Sequence, residues 1–159
     1  MANAVKPVPD QLHSITPNLA CRNAAAAIEF YKRAFDATEV SRYVGPRGEI
    51  MHASLKIGDS TFFVNDVMGK GAEPPAPGVT SLTYLHLYVP DADSVFTRAI
   101  EAGSRVDMPI ADMFWGDRYG KITDPFGQQW GIATHIEDVK PEELEKRQKA
   151  FFSKGAGGN

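Results

Sequence analysis

Apolar positions recur at helical spacing twice along this chain, and in each case a set of short alternating segments follows or flanks them. Ala24, Ala27, Ile28, Tyr31 and Phe35 fall three and four apart, with Glu29, Lys32, Arg33 and Asp36 on the other side. This pattern predicts an amphipathic helix of about three turns, entered at Asn23, whose side chain can accept from a free N–H of the first turn. Residues 12–20 alternate weakly, with Ser14, Thr16 and Asn18 on one face and Ile15, Pro17 and Leu19 on the other. They read as a first strand, and the proline places it at an edge or a strand end. Residues 40–44, 50–57 and 61–65 read as three further strands, separated by Gly45-Pro46-Arg47-Gly48 and Gly58-Asp59, both of which are turn chemistry. Glycines and prolines crowd residues 66–80 and mark a linker without a core pattern of its own. A strand over 81–89 follows, then a helix capped by Asp91, with Ala92, Val95, Phe96 and Ala99 inward and Gly103 closing it.

Displacing the first half by 68 positions lays it on the second without a gap: Thr16 falls on Tyr84, Asn23 on Asp91, Ala27 on Val95, Ile28 on Phe96, Tyr31 on Ala99 and Phe63 on Gly131. Two copies of one supersecondary unit explain this better than two unrelated amphipathic helices. The second copy ends in a hairpin, 113–135, that holds both tryptophans around the turn Asp124-Pro125-Phe126-Gly127. Setting Thr123 opposite Gln128 places Gly120 opposite Gly131 and gives Gln129, Gly131, Ala133 and His135 a face distinct from that of Trp130, Ile132 and Thr134. Facing glycines leave room for a ligand or another backbone, or they mark a bulge or bend. In that register Arg118 shares the glycine face and suits a carboxylate or phosphate. A slip of one residue would turn it away and bring Tyr119 and Lys121 in. From Pro141 the chain reads as a short helix with glutamates near its start and basic residues towards its end, and Phe151 and Phe152 need cover from the same subunit or a neighbour.

The chain has 159 residues, 43% hydrophobic and 23% charged, which is the size and make-up of one ordinary globular domain. A net charge of -3, evenly spread, argues against a nucleic-acid surface. No apolar run approaches the roughly 20 residues of a membrane span, and the N-terminus lacks a signal-peptide layout, so a cytoplasmic, non-membrane protein is expected. A single cysteine, Cys21, agrees with a reducing compartment and reads as a small core residue rather than a nucleophile.

A repeated βαβββ unit, the helix run Ala27-Ile28-Glu29-Phe30-Tyr31 and the closing Asp124-Pro125-Phe126-Gly127 resemble the vicinal oxygen chelate superfamily, the glyoxalase and bleomycin-resistance fold, over about residues 12 to 136. Phe114-Trp115-Gly116-Asp117-Arg118, with that turn and Trp130, is similar more narrowly to the PhnB-like branch. The resemblance implies an α+β fold of two βαβββ modules forming paired half-open sheets around a cavity. Residues 1–11 become an N-terminal arm, 12–66 the first module, 67–80 a linker, 81–136 the second module, and 137–159 a C-terminal helix and flexible tail.

In metal-dependent members of the family, four ligands come from the first and last strands of each module. The matching positions here are Thr16, Phe63, Tyr84 and Gly131, none of which is a good ligand for a divalent ion, so no cofactor is expected. His86 and His135 share faces with Tyr84 and Gly131, and His52, Asn18 and Asn65 add polar groups. The alternative is therefore a shifted divalent-metal site and a lyase, isomerase or dioxygenase activity. The leading reading is a protein that binds or sequesters a small, anionic or aromatic compound, with no reaction fixed by its residues. Phe63, Tyr84 and Trp115 would form apolar walls, and Asn18, His86 and Arg118 polar anchors. Trp115 packed at a subunit contact, and Arg118 paired with Asp117 or a neighbouring acid, are the structural alternatives. A cavity filled by the chain's own side chains is a third reading. The resemblance, the N-terminal arm and the tail phenylalanines together imply a homodimer.

Overall fold

The same local chemistry starts both helices. In the computed structural model, which describes residues 6–68 and 82–155, Asn23 Oδ1 accepts the Ala26 N–H at 3.1 Å and Asp91 Oδ1 accepts the Ser94 N–H at 3.0 Å. A second acceptor reaches each helix from the last strand of its own module. Asp66 Oδ1 takes the Ala24 N–H at 2.8 Å, and Thr134 Oγ1 takes the Ala92 N–H at 2.8 Å. Asp66 and Thr134 are themselves 68 positions apart, so the internal repeat extends to the satisfaction of the helix N-termini.

The chain forms two compact units, Met1–Val79 and Thr80–Asn159. The first contains β1 (Asn18–Cys21), α1 (Ala24–Phe35), β2 (Thr38–Val44), β3 (Ile50–Ile57) and β4 (Ser60–Asp66). Its sheet has the order β1-β4-β3-β2, with β1 parallel to β4 and the other pairs antiparallel. The second contains β5 (Tyr84–Tyr88), α2 (Ala92–Glu101), β6 (Arg105–Asp112), β7 (Asp117–Thr123) and β8 (Gln129–His135), in the equivalent order β5-β8-β7-β6, and then α3 (Pro141–Gly155). The fold is thus α+β, two βαβββ modules with one four-stranded sheet each, and neither sheet closes into a barrel. Most of the expected linker, and the last residues of the expected tail, lie outside the described residues.

In the first unit α1 buries Ala24, Ala27, Ile28, Phe30, Tyr31, Ala34 and Phe35 on a sheet face that carries Ala53, Leu55, Phe62 and Val64. Tyr31 meets Phe62 edge-on at 5.5 Å. Each of the large side chains contributes about 1.5–3 kcal/mol on removal from water. Cys21 is buried in this unit, as a core residue would be. In the second unit α2 buries Ala92, Val95, Phe96 and Ala99, and the sheet's buried residues include Ile122, Trp130 and Ile132.

Two strands start three or more residues later than the pattern reading places them. The first strand begins at Asn18 rather than at residue 12, because Pro17 can lend the ladder its carbonyl, accepting the Phe63 N–H at 2.8 Å, but has no N–H to donate. The ladder of the fifth strand starts at Tyr84. β6 shows no clean alternation, since Pro109 interrupts it and its register with β7 shifts twice, at Val106/Met108 and Met108/Ala111. α3 buries none of its residues. Arg147 ties it to Glu137 by two bonds of 2.8 Å, and the Phe151 ring lies 5.2 Å from that of Phe114, leaving Phe151 and Phe152 exposed.

Candidate functional site

The hairpin register decides which side chains of the second unit share a face. Thr123 pairs with Gln129, Lys121 with Gly131 and Gly120 with Ile132, one residue away from the expected pairing. The turn explains the shift. Gly127 adopts φ +90, its N–H donates to Asp124 O at 3.1 Å, and the Asp124 N–H donates to Gln128 O at 2.9 Å. A left-handed glycine in this place adds one residue to the β8 side, as in a G1 bulge.

Gly120 and Gly131 therefore do not face each other. A Cβ on Gly120 would lie 2.7 Å from the Phe96 ring of α2 and 3.1 Å from the Ile110 backbone. On Gly131 it would lie 2.9 Å from the Tyr119 ring and 3.3 Å from His86 Nδ1. Each glycine admits an aromatic ring of its own unit, so the expectation that the pair leaves a common ligand space is corrected.

Arg118 is corrected with them. It lies on the α2 side, where its guanidinium donates to both oxygens of Asp93 and, at 2.9 Å, to Asp112. Those carboxylates raise its pKa still further, and the fork is engaged by acids other than Asp117. It is not an open anion site.

The opposite face collects Tyr84, His86 and Tyr88 from β5, Gln129, Gly131, Ala133 and His135 from β8, and Asp117, Tyr119, Lys121 and Thr123 from β7. His86 stacks on Tyr119, with ring centroids 5.4 Å apart and planes inclined by 10°, and it touches Tyr88 at 4.6 Å. Trp115 stands edge-on to Tyr119 at 5.7 Å. Lys121 Nζ lies 4.4 Å from the centre of the Tyr84 ring. Burial, and then the interactions with Tyr84, push the Tyr119 phenol up to about 12.

Asp117, only 3% exposed, is the polar centre of this face. Its Oδ2 accepts from Tyr88 Oη at 2.8 Å and Trp115 Nε1 at 3.0 Å, and its Oδ1 lies 2.8 Å from His135 Nδ1. Burial alone would raise its pKa. The bonds from His135, Tyr88 and Trp115 outweigh that, and the carboxyl titrates below its ordinary range. Asp117 and Tyr88 were not among the sequence candidates, because their partners arrive from strands far apart in the chain, and Tyr119 was expected here only with the one-residue slip that the hairpin in fact shows.

His135 is held on its second nitrogen as well, 2.8 Å from Asp138 Oδ1. Asp138, and then Asp117, raise its pKa. A raised imidazole pKa contributes stability that is fully present below the unfolded value of about 6.5 and lost as pH rises through the folded value. Asp117 acts in the other direction, its contribution being lost as pH falls through its lowered pKa. The melting temperature of the native chain is therefore expected to drop between pH 6 and pH 9 by more than that of His135→Gln. Scanning calorimetry at the two pH values checks this, and equal drops would remove the imidazolium from the account.

In the first unit Asn18 and Phe63 are cross-strand partners on the face away from α1. Asn18 Nδ2 donates to Asn65 Oδ1 at 2.6 Å, and His52 packs on Phe63 at 4.6 Å. Of the sequence candidates, the fold thus brings together Asn18 with Phe63 in one unit, and Tyr84 and His86 with Trp115 in the other, while Arg118 stands apart. The four inherited metal positions are corrected too. Thr16 precedes the β1 ladder and Tyr84 pairs with Gln129, so the neighbours of Phe63 and Gly131 are Asn18 and His86. One amide, one imidazole, a phenyl and a bare Cα do not fit the donor set of a divalent ion. Among the described residues no three of His, Cys, Asp and Glu cluster closely enough to hold a metal. Both ring nitrogens of His135 face carboxylates, those of Asp117 and Asp138, and neither faces His86.

Comparison with known proteins places this geometry. Residues 11–132 match the family model described as the Glyoxalase/Bleomycin resistance protein/Dioxygenase superfamily. An uncharacterized protein of Mycobacterium bovis is 40% identical over 149 residues, covering 91% of this chain and 95% of its own. An uncharacterized protein of Arabidopsis thaliana is 32% identical over 131 residues, 75% of this chain and 76% of that one. The X-ray structure of an Arabidopsis thaliana gene product aligns with a TM-score of 0.63 at 27% identity, over 77% of this chain and 98% of that chain. A PhnB protein from Bacillus cereus shares the fold at 20% identity, with a TM-score of 0.62 over 77% of this chain and 99% of its own.

Proposed function

We propose, on the premise that the chain belongs to the Glyoxalase/Bleomycin resistance protein/Dioxygenase superfamily, that its second module binds a flat aromatic small molecule on the sheet face away from α2. The observation that carries this reading is the parallel stack of His86 on Tyr119 across Gly131, with Tyr84, Tyr88 and Trp115 around it. Tyr84, His86 and Tyr88 are exposed, the two tyrosines at 46% and 59%, and offer large, rigid contact area to another ring, with the buried Tyr119 supporting His86 from below. Gly131, which has no side chain, and Ala133, with a single methyl, keep the floor between them low.

The polar groups support binding over proton-transfer chemistry. Asp117 already accepts from three partners, so it holds Trp115, Tyr88 and His135 in place and is not free to take a proton from a substrate. Tyr119, with its pKa near 12, keeps its proton at neutral pH. The residues do not fit a metal-dependent lyase, isomerase or dioxygenase, for the reason given by their donor set.

A thermal-shift screen of flat aromatic compounds against saturated ones of similar size tests the reading, since a ligand selective for the native state raises apparent stability. Aromatic members are expected to dominate the hits. By calorimetry, Tyr84→Ala and His86→Ala should each weaken a hit about two- to tenfold, the scale of one lost ring contact. Hits drawn equally from both sets, or affinities untouched by both substitutions, would contradict it.

A further inference from the structure

The charges on this face balance except at one residue. Asp117 is matched by His135 and two neutral donors. Asp107, on β6 beside it, is matched by Arg105 at 3.0 Å and by the Thr123 hydroxyl. Burial would raise the Asp107 pKa, but the bonds from Thr123, Arg105 and Gln129 bring it below the ordinary range. On the α2 side, Arg118 is fixed by Asp93 and Asp112. Lys121 has no such partner. It is half-buried, opposite Gly131 and Met108 in the neighbouring strands, and its ammonium rests only on the Tyr84 ring. Among the described residues no carboxylate lies within ion-pair distance of it.

A π-face attracts an ammonium but cannot accept its three N–H bonds in the directions an oxyanion can. Lys121 is also next to the aromatic platform, through Tyr84, which acts on the Tyr119 phenol. We infer that the ligand of this face is an aromatic acid whose carboxylate is held by the Lys121 ammonium while its ring lies on the exposed Tyr84 and His86. This rests on the reading of the face as an aromatic-binding surface. A carboxylate fits better than a phosphate, because one ammonium answers one charge, and the guanidinium forks that would grip a dianion are already closed on acids.

The experiment compares 2-naphthoate with the uncharged 2-naphthamide by calorimetry on the native chain, Lys121→Met and Lys121→Arg. Met keeps the stem over Tyr84 and removes the charge, and Arg keeps both. The native chain is expected to bind the acid about tenfold more tightly than the amide, the scale of one charged hydrogen bond. That preference should vanish in Lys121→Met, persist in Lys121→Arg and shrink as salt is raised. Equal binding of the two probes by the native chain, or a preference that survives Lys121→Met, overturns the charge inference and leaves the aromatic reading standing. Binding of neither probe overturns both.

Discussion

Gly116→Ala is expected to destabilise the second unit by about 3–5 kcal/mol, the sum of backbone strain and broken loop hydrogen bonds. Gly116 has φ +101, and a Cβ there would sit 2.1 Å from the Glu137 carbonyl oxygen and 3.0 Å from Val139. The same residue clamps two segments together. Its carbonyl accepts the N–H groups of Ile136 and Glu137 at 2.9 and 3.0 Å, and its own N–H donates to Met113 at 3.1 Å. An alanine cannot be admitted without moving the backbone after β8, and with it the loop that carries Trp115. Gly127→Ala supplies the contrast. It shares the positive φ, at +90, but nothing lies within 4 Å of its Cβ position, so only the conformational cost of about 1–2 kcal/mol applies. Urea unfolding of both variants checks the difference. A loss below about 1 kcal/mol in Gly116→Ala, less than the conformational term alone, would mean that the clamp yields freely.

Asp124→Ala is the second large effect, expected at about 3–5 kcal/mol, because three donors lose a charged acceptor in a buried place. Asp124 Oδ1 accepts the N–H groups of Phe126 and Gln128 at 2.9 and 3.0 Å, and Oδ2 accepts Trp130 Nε1 at 3.0 Å. One carboxylate thereby holds the turn closed and anchors the buried indole on the α2 side. Asp124→Asn should fall between the native chain and Asp124→Ala, since its oxygen can still serve the two backbone donors while its amide NH2 confronts the indole N–H. Equilibrium denaturation ranks the three. If Asp124→Asn proved as costly as Asp124→Ala, the turn bonds would not be the larger part of the carboxylate's role.

What the sequence made legible was local. Both N-caps, both helix stripes and the turn at Asp124 depend on residues within a few positions of one another, and all appear in the structure. The hairpin register depended on how one glycine is used. Gly127 could close a four-residue turn or add a left-handed residue beyond it, and the second option reverses the face of every side chain in β7 relative to β8. That single step moved Arg118 to Asp93 and Asp112, put Gly120 under Phe96, and brought Tyr119 and Lys121 to the aromatic face. The Asp117 centre was illegible for a different reason. Its partners Tyr88 and His135 lie 29 and 18 residues away, and only the β5-β8-β7 strand order brings them to one carboxylate. The cross-strand neighbours of Phe63 and Gly131, which are Asn18 and His86 and not Thr16 and Tyr84, required the observed start of each first strand.

The central claim, an aromatic-binding face on the second module, is tested most directly by following backbone amides of the isotope-labelled full chain during titration with 2-naphthamide. The account predicts saturable shifts concentrated at Tyr84, His86, Tyr119 and Gly131, with Phe96 and Ile122 on the α2 side unmoved. Shifts centred on the α2 side, or none at saturating probe, would contradict it.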